Sequence, residues 1–197
     1  MRYPIAVAIV LVCTLLGPPA GSAPQTYQLE PTHVDVLFAI KHLGFSWKHG
    51  SFRTVAGTLN YDADHPESSQ VTMTIKTNSI DTAFGPRDTD LKSDKFLDAA
   101  TFPEMTFTST KIIRTGADTF RVMGELSLHG VTKSVDLEAK LNGVGTNQFD
   151  KKPTVGFSVS GTVKRSDFGI SQYLPAIGDL VTFTADAEFN QSVPLSP

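Results

Sequence analysis

The sequence predicts an all-β protein, an antiparallel barrel of about eight strands with a short helical lid. Apolar and polar residues alternate with a period of two over most of the chain after residue 26, as in strands with one buried face. Turn-forming residues separate these segments, and connections this short make neighbouring strands antiparallel. Because little helix is available to cover a sheet, the sheet must close on itself or pack on a second one. Closure is favoured since it removes unpaired edges.

Eight segments carry the strand pattern, six of them clearly. In the first, Val34, Val36, Phe38 and Ile40 share one face. Pairs such as His129-Gly130 lie between segments and favour chain reversal. The clear segments are 34–41, 71–76, 120–128, 134–141, 155–163 and 181–189, and the weaker ones are 52–61 and 105–113.

The first 23 residues have the pattern of a signal peptide. Arg2 precedes an apolar run, 5–16, that is too short to span a bilayer, and Gly and Pro residues break the run before a small-residue cleavage region. Export to the periplasm is therefore expected, with an uncleaved membrane anchor as the alternative. Residues 24–197 are enough for one domain, and they contain no cysteine because Cys13 lies in the leader.

Composition and motifs exclude several classes of function. The formal net charge is −3 and no Lys/Arg stripe occurs, which argues against nucleic acid and against an anionic membrane surface as partners. Without cysteine or a close histidine pair, no metal site is expected, and no cofactor is predicted. A P-loop, a dinucleotide fingerprint and a GxSxG elbow are all absent from the sequence.

A charged interlude, 87–103, interrupts the strands. Ser93 is a candidate N-cap for a short helix over 94–98, and Pro103 would stop its continuation. Arg87 and Asp88 are a candidate ion pair at the start of this segment. A helix between two barrel strands most naturally lies across one open end as a lid. The apolar residues that would plug this mouth are Leu91, Phe96 and Leu97.

Two polar residues could reach the mouth of a cavity. His42 continues the phase of Phe38 and Ile40, so its imidazole would point towards the opening. Arg165 continues the inward phase of its strand and could contact an anionic or amide head group. The alternative is that Arg165 and Asp167 hold the turn in place.

An apolar inner face does not by itself establish a cavity, because an eight-stranded barrel can be filled by its own side chains. Several inward positions hold small residues, and we interpret them as room that a packed barrel would fill. These positions are Gly124, Ala139, Gly161, Ala185 and Ala187.

Six segments together resemble the YceI-like family of secreted bacterial polyisoprenoid-binding proteins, and their order and separation match over nearly the whole chain after the leader. The sequence departs from the family pattern at "PTHVDVLF" and by carrying Trp47 and His49, which places the departures near the expected mouth. The matching segments are "FAIKHLGFS", "TNSIDT", "RDTDLKSDKFLDAATFPEMTFTS", "GELSLHGVTKSVDL", "KRSDFGI" and "GD" at Gly178-Asp179.

The resemblance implies an extended, lipocalin-like barrel whose lumen holds an isoprenoid tail, such as that of a quinone or a prenyl derivative. We therefore expect a periplasmic binding or carrier protein for a polyisoprenoid or other long-chain lipid, with no catalytic residue. A ligand-free structural or stress-related barrel, and a lipid-modifying enzyme with His42 as base, are the alternatives. A homodimer is left open beside a monomer.

Fourteen residues are predicted to contact the ligand. Nine line the lumen, three form the lid and two lie at the polar end. They are Phe38, Ile40, Met73, Ile75, Phe107, Val122, Phe157, Val159 and Phe183 in the lumen, Leu91, Phe96 and Leu97 in the lid, and His42 and Arg165 at the polar end.

Overall fold

The computed structural model describes residues 23–192, which form ten strands and one α-helix. Residues 1–22, which are all but the last residue of the predicted leader, and the last five residues lie outside this range. The elements are β1 (Gln25–His42), β2 (Ser46–Phe52), β3 (Val55–Tyr61), β4 (Gln70–Lys76), β5 (Ile80–Asp81), α1 (Gly85–Lys92), β6 (Glu104–Arg114), β7 (Thr119–Leu128), β8 (Val131–Thr146), β9 (Pro153–Lys164) and β10 (Ile177–Gln191), with 3₁₀ helices at Pro66–Ser68, Thr77–Ser79 and Arg165–Phe168.

The strands close into an antiparallel barrel, as predicted. Eight of them are hydrogen-bonded in the order β10, β9, β8, β7, β6, β4, β3 and β1, and β10 pairs again with β1. The two remaining strands extend this wall, since β2 pairs with the second half of β1 and the short β5 pairs with β2. The closed sheet therefore surrounds an interior towards which every second side chain points.

The weak segment predicted at 52–61 corresponds to β3, but its first residue, Phe52, is the last residue of a separate strand, β2, which the pattern did not predict. The chain leaves the ladder between β2 and β3 because the amides of Arg53 and Thr54 bond to Ser79 instead of to β1: Arg53 N–H donates to the Ser79 carbonyl over 3.1 Å, and Thr54 N–H donates to the Ser79 hydroxyl over 3.1 Å. The 3₁₀ helix Thr77–Ser79, which separates β4 from β5, therefore lies beside the break between β2 and β3.

The predicted helix over 94–98 is wrong, because the helix lies earlier, in α1. Pro86 in the first turn presets the helical φ, and Asp88 stands near the positive end of the helix dipole. Ser93 ends the helix instead of starting one: its amide and its hydroxyl both donate to the Asp90 carbonyl, over 3.0 and 2.7 Å. Within the described residues, no helix is long and apolar enough to cross a membrane.

The two ends of the barrel differ. At the closed end, the 3₁₀ helix Pro66–Ser68 lies across the interior, with Pro66 and the following Ser69 buried. The mouth is the opposite end, where the β1–β2 hairpin, α1, the β7–β8 turn and the segment 171–176 come together. The buried cluster next to the closed end consists of Tyr27, Leu29, Val36, Val55, Leu59, Tyr61, Val155 and Phe189.

Candidate functional site

A cavity of about 530 Å³ occupies the interior of the barrel. All ten strands and α1 contribute to its wall, and its lining on β10 extends from Ile177 to Phe189. With the usual strand rise and barrel tilt, those positions span about 30 Å along the barrel axis. Ligand pockets commonly measure about 300 to 1,000 Å³, so this volume is that of a binding site rather than of a packing defect.

The wall is apolar along most of its length, and its charged groups are confined to the mouth. At the closed end the polar lining consists of Tyr61 and Ser69. Ser69 is used internally, since its hydroxyl accepts the Asp62 amide over 3.0 Å. Burial raises the pKa of the Tyr61 hydroxyl, so Tyr61 stays neutral there. The polar residues that line the mouth are His42, Lys48, His49, Thr82, Arg87, Asp90 and Arg165.

All fourteen residues predicted to contact a ligand lie on the cavity wall. The inward phase of the strands places the aromatic and aliphatic members, while α1 and the turns after it place the three lid residues. Whether each contacts a bound molecule stays a prediction. The set is Phe38, Ile40, His42, Met73, Ile75, Leu91, Phe96, Leu97, Phe107, Val122, Phe157, Val159, Arg165 and Phe183.

Glycines on the inner wall hold large side chains rather than leaving the space empty, which corrects the interpretation of Gly124 and Gly161 as open room. A methyl group added at Gly161 would lie 2.7 Å from Cζ of Phe183, the residue directly opposite on β10. At Gly124 it would lie 2.4 Å from Cζ of Phe107.

The same arrangement recurs on two further strand pairs. A methyl group at Gly50 would lie 2.4 Å from Cζ of the opposite Phe38, and one at Gly57 would lie 2.4 Å from Sδ of the opposite Met73. Each large side chain lies over a glycine backbone, against the wall. The glycines therefore keep these side chains out of the centre of the lumen.

The lid residues plug part of the mouth from turns as well as from a helix. Phe96 and Leu97 are buried, and they cluster with Ile80 and Ile170. The Phe96 ring lies 6.0 Å from the ring of Tyr173, measured between centroids, so the lid also touches the segment 171–176. The lid residues are therefore held in place by apolar contacts with the strands and with the segment 171–176.

Thr82 anchors α1 to the barrel. The Arg87 guanidinium donates to the Thr82 hydroxyl over 2.8 Å and to its carbonyl over 2.7 Å, and the Asp88 carboxylate accepts the Thr82 amide over 2.9 Å and also its hydroxyl. The predicted ion pair between Arg87 and Asp88 is not among the ion pairs of the described residues, because both side chains bind Thr82 instead.

Arg165 serves the fold. Its side chain is buried, and its guanidinium donates to the carbonyls of Gly178, Ile170 and Ile177 over 2.9, 3.1 and 3.1 Å. Burial lowers the pKa of the guanidinium, and the nearby Asp179 carboxylate opposes that shift.

Arg165 thus holds the turn, as the alternative interpretation proposed, but with backbone carbonyls and not with Asp167. Asp179 completes this anchor, since its carboxylate accepts the amide and the hydroxyl of Ser166 over 3.0 and 2.8 Å. Three of the five N–H groups of Arg165 are donated to backbone carbonyls, so two are left for a head group.

Lys48 and His49 are mouth residues that the sequence analysis did not assign to the site. Lys48 pairs with Ile40 across the β1–β2 hairpin, so it shares the lumen side of the sheet. The inward position of Lys48 could have been predicted from the sequence, because Gly44 indicates a short turn at Leu43–Phe45 and that turn fixes the register of β1 and β2. The half-buried Lys48 lines the cavity and forms no ion pair within the described residues.

Residues 27–189 match the YceI-like domain, so the match extends from Tyr27 in β1 to Phe189 in β10. The chain belongs to the YceI-like family. Protein YceI of Salmonella arizonae is 44% identical over 152 residues, which are 77% of this chain and 78% of that protein. The crystal structure of the Campylobacter jejuni YCEI protein is 32% identical, covers 78% of this chain and 91% of its own, and superposes with a TM-score of 0.71.

A more distant YceI-like fold is a polyisoprenoid binding domain from Saccharophagus degradans implicated in plant cell wall breakdown. It is 16% identical, covers 85% of this chain and 99% of its own, and has a TM-score of 0.64. At this identity the likeness concerns the fold. The family predicted from the sequence and the lipocalin-like barrel that it implies are both confirmed.

Proposed function

We propose that this YceI-like protein is a periplasmic carrier that binds one long apolar lipid, an isoprenoid such as a quinone or a prenyl derivative, in the barrel lumen. The observation that carries the proposal is the cavity itself, which is apolar along most of its length with charged groups at one end. This gradient matches an amphiphile whose tail is buried and whose head stays at the mouth.

The energetics of burial support an apolar tail as the main source of affinity. Removing hydrocarbon from water contributes about 0.8 kcal/mol per methylene, so a five-carbon unit contributes about 3 to 4 kcal/mol before ordering costs. A few units therefore suffice for tight binding without any directed polar contact. The polyisoprenoid binding of the Saccharophagus degradans domain supports this class of ligand among apolar tails.

The periplasmic location rests on the N-terminal segment, whose apolar run and small-residue cleavage region lie outside the described residues. N-terminal sequencing of the protein from a periplasmic extract tests it. The proposal requires that processing removes the leader close to Ala23 and that the protein leaves the cell in an osmotic-shock fraction. A chain that keeps its first residue and sediments with membranes would instead support the anchor.

Native mass spectrometry of protein purified without detergent tests the carrier directly. We expect a one-to-one adduct that organic extraction releases, with the fragmentation series of an isoprenoid. Met73→Glu places a carboxylate on the lumen wall and should abolish the adduct. Asp136→Glu, on an exposed position of β8, is the matched control and should keep it. Circular dichroism of both variants verifies the barrel.

Two outcomes would contradict the proposal. A protein mass that stays bare after incubation with quinones and prenyl lipids would favour a ligand-free barrel. A released lipid that is chemically altered during incubation, with turnover lost in His42→Ala while binding persists, would favour an enzyme.

A further inference from the structure

Large apolar side chains are exposed at the mouth, on two neighbouring loops and on the adjoining ends of β2 and β10. The first group lies on the β1–β2 hairpin, where Phe45 is 91% exposed and Trp47 is 52% exposed. The two loops are adjacent, because the Leu43 amide donates to the Ala176 carbonyl over 2.8 Å. We call this set the apolar rim; it consists of Leu43, Phe45, Trp47, Tyr173, Leu174 and Leu180.

Folding does not account for the apolar rim. Leu43 has φ of 52°, a left-handed conformation that a bulky residue adopts at a steric cost and that Gly, Asn or Asp would adopt more easily. Its side chain is half exposed, so burial does not offset that cost. Phe45 at the tip packs even less. The hairpin therefore presents apolar groups outward at the expense of local stability.

The charge of the hairpin is as distinctive as its hydrophobicity. Residues 36–61 contain no Asp or Glu, although the whole chain has a net charge of −3. Lys41 lies directly opposite Trp47 on the outer face, and Lys48 follows on the inner face. Neither lysine forms an ion pair in the part of the chain that the structure describes.

We propose that the apolar rim docks the mouth onto an anionic lipid bilayer. Aromatic residues with flanking lysines are the composition that binds the membrane interface, where rings enter the head-group region and lysines contact anionic lipids. Overall composition argues against a large basic face, but this surface needs only local charge. Docked in this way, the cavity opens towards the bilayer, from which an apolar molecule enters without crossing water.

A second copy of this chain fits the rim less well. A stable protein interface buries about 20 to 30 residues on each side, whereas the apolar rim offers six, spread over two loops and the adjoining ends of β2 and β10. A bilayer makes no demand for a complementary shape. In a two-fold dimer the lysines of the two copies would also lie close together, and their like charges would repel.

Trp47 allows the test to be made on the rim itself, since it is the only tryptophan in the chain. Vesicles of phosphatidylglycerol and phosphatidylethanolamine in equal amounts are mixed with the full chain, and tryptophan emission and the co-floating fraction are recorded. We expect a blue shift of the emission, protection from iodide, and quenching by brominated phosphatidylglycerol. Every variant carries the same N-terminal segment, so differences between variants report the rim.

Phe45→Ser leaves Trp47 in place and should lower the bound fraction about tenfold. Phe149→Ser, whose ring is 96% exposed on the hairpin tip at the closed end, is the matched control and should bind within about twofold of the unmodified chain. Lys41→Gln combined with Lys48→Gln should weaken binding severalfold and remove its dependence on salt.

Three results would overturn the proposal. One is an unshifted emission of Trp47 with vesicles present. Another is equal loss of binding in Phe45→Ser and Phe149→Ser. A third is a dimer in analytical ultracentrifugation that Phe45→Ser dissociates, together with no binding to vesicles, which would assign the rim to a second copy.

Docking goes beyond the proposed carrier function and can fail separately from it. Vesicle binding by protein from which no lipid can be extracted supports docking even if the carrier proposal fails. A lipid adduct that persists in protein with no affinity for vesicles overturns docking and leaves the carrier proposal standing.

Discussion

The closed end and the mouth of the barrel are built from the same alternating strands but differ in burial and in charge. At the closed end Phe189 and Leu59 are each 4% exposed, and Val155 is fully buried. At the mouth, Phe45 and Trp47 face outward and charged groups line the opening. Both ends contain a buried apolar cluster, and they differ because the cavity wall is apolar at the closed end and carries charged groups at the mouth.

The largest expected effect is on stability and comes from truncating an aromatic side chain at each end. Phe189→Ala should cost about 3 kcal/mol or more, because it removes a buried ring from the cluster beside the plug. Phe45→Ala should change the free energy of unfolding by less than about 0.5 kcal/mol. Urea denaturation measures both. Equal losses would abolish the distinction between the two ends.

A second prediction tests the strongest polar anchor at the mouth. Arg165→Met leaves one buried and two partly buried carbonyls without their guanidinium donor, and we expect it to cost about 2 to 4 kcal/mol. Lys164→Met, at the exposed neighbouring position, is the control and should cost less than about 0.5 kcal/mol.

Lipid selectivity separates the two possible roles of Arg165. A structural role predicts that folded Arg165→Met retains the same preference among lipids with different head groups. If stability is unchanged while that preference is lost, Arg165 acts on the ligand and not on the turn.

The strand pattern was predictable because burial on one face imposes a period of two, whichever partners the strands find. The family was predictable because its motifs keep their order. The position of the helix was not, since Ser93 can cap either end and the choice depends on Pro86 and on tertiary contacts of Thr82. The hydrogen bonds of Arg165 join residues that only the folded turn brings together.

The meaning of the inner glycines also required the structure. A sequence shows that Gly161 is small, but not that Phe183 lies over it. Strand register decides which side chain faces each glycine, and register depends on loops whose geometry the pattern does not specify. The apolar rim was missed for the same reason, because exposure of Phe45 and Trp47 depends on where the hairpin ends.

Gly161→Ala tests whether the glycines of the wall keep large side chains out of the lumen. The added methyl would lie 2.7 Å from both Cδ2 of Leu137 and Cζ of Phe183, two movable side chains that must shift, so we expect a modest cost of about 1 to 2 kcal/mol. The displaced ring enters the lumen and should lower the amount of lipid bound, measured by native mass spectrometry. The double variant with Phe183→Leu should recover part of the capacity. A large loss of stability with unchanged capacity would instead indicate a packed interior.

The smallest expected effect concerns the neutral hydroxyl at the closed end. Burial, and to a lesser extent the neighbouring Tyr27, raises the pKa of Tyr61 above its ordinary value of 10.0. The fold therefore favours the protonated form: this stability is fully present below about pH 10 and is lost as pH rises through the raised pKa. Tyr61→Phe should therefore reduce the loss of unfolding free energy at alkaline pH.

The control is Phe149→Leu, at a 96% exposed position without a hydroxyl group, whose alkaline profile should follow that of the unmodified protein. Urea denaturation between neutral pH and pH 11 makes the measurement. We expect a changed pH dependence of stability only for Tyr61→Phe, because ionisation of Tyr61 would place a charge in the apolar closed end, which water reaches poorly. If Tyr61→Phe leaves the alkaline profile unchanged, water reaches the Tyr61 hydroxyl freely, and the contrast between the two ends rests on packing alone.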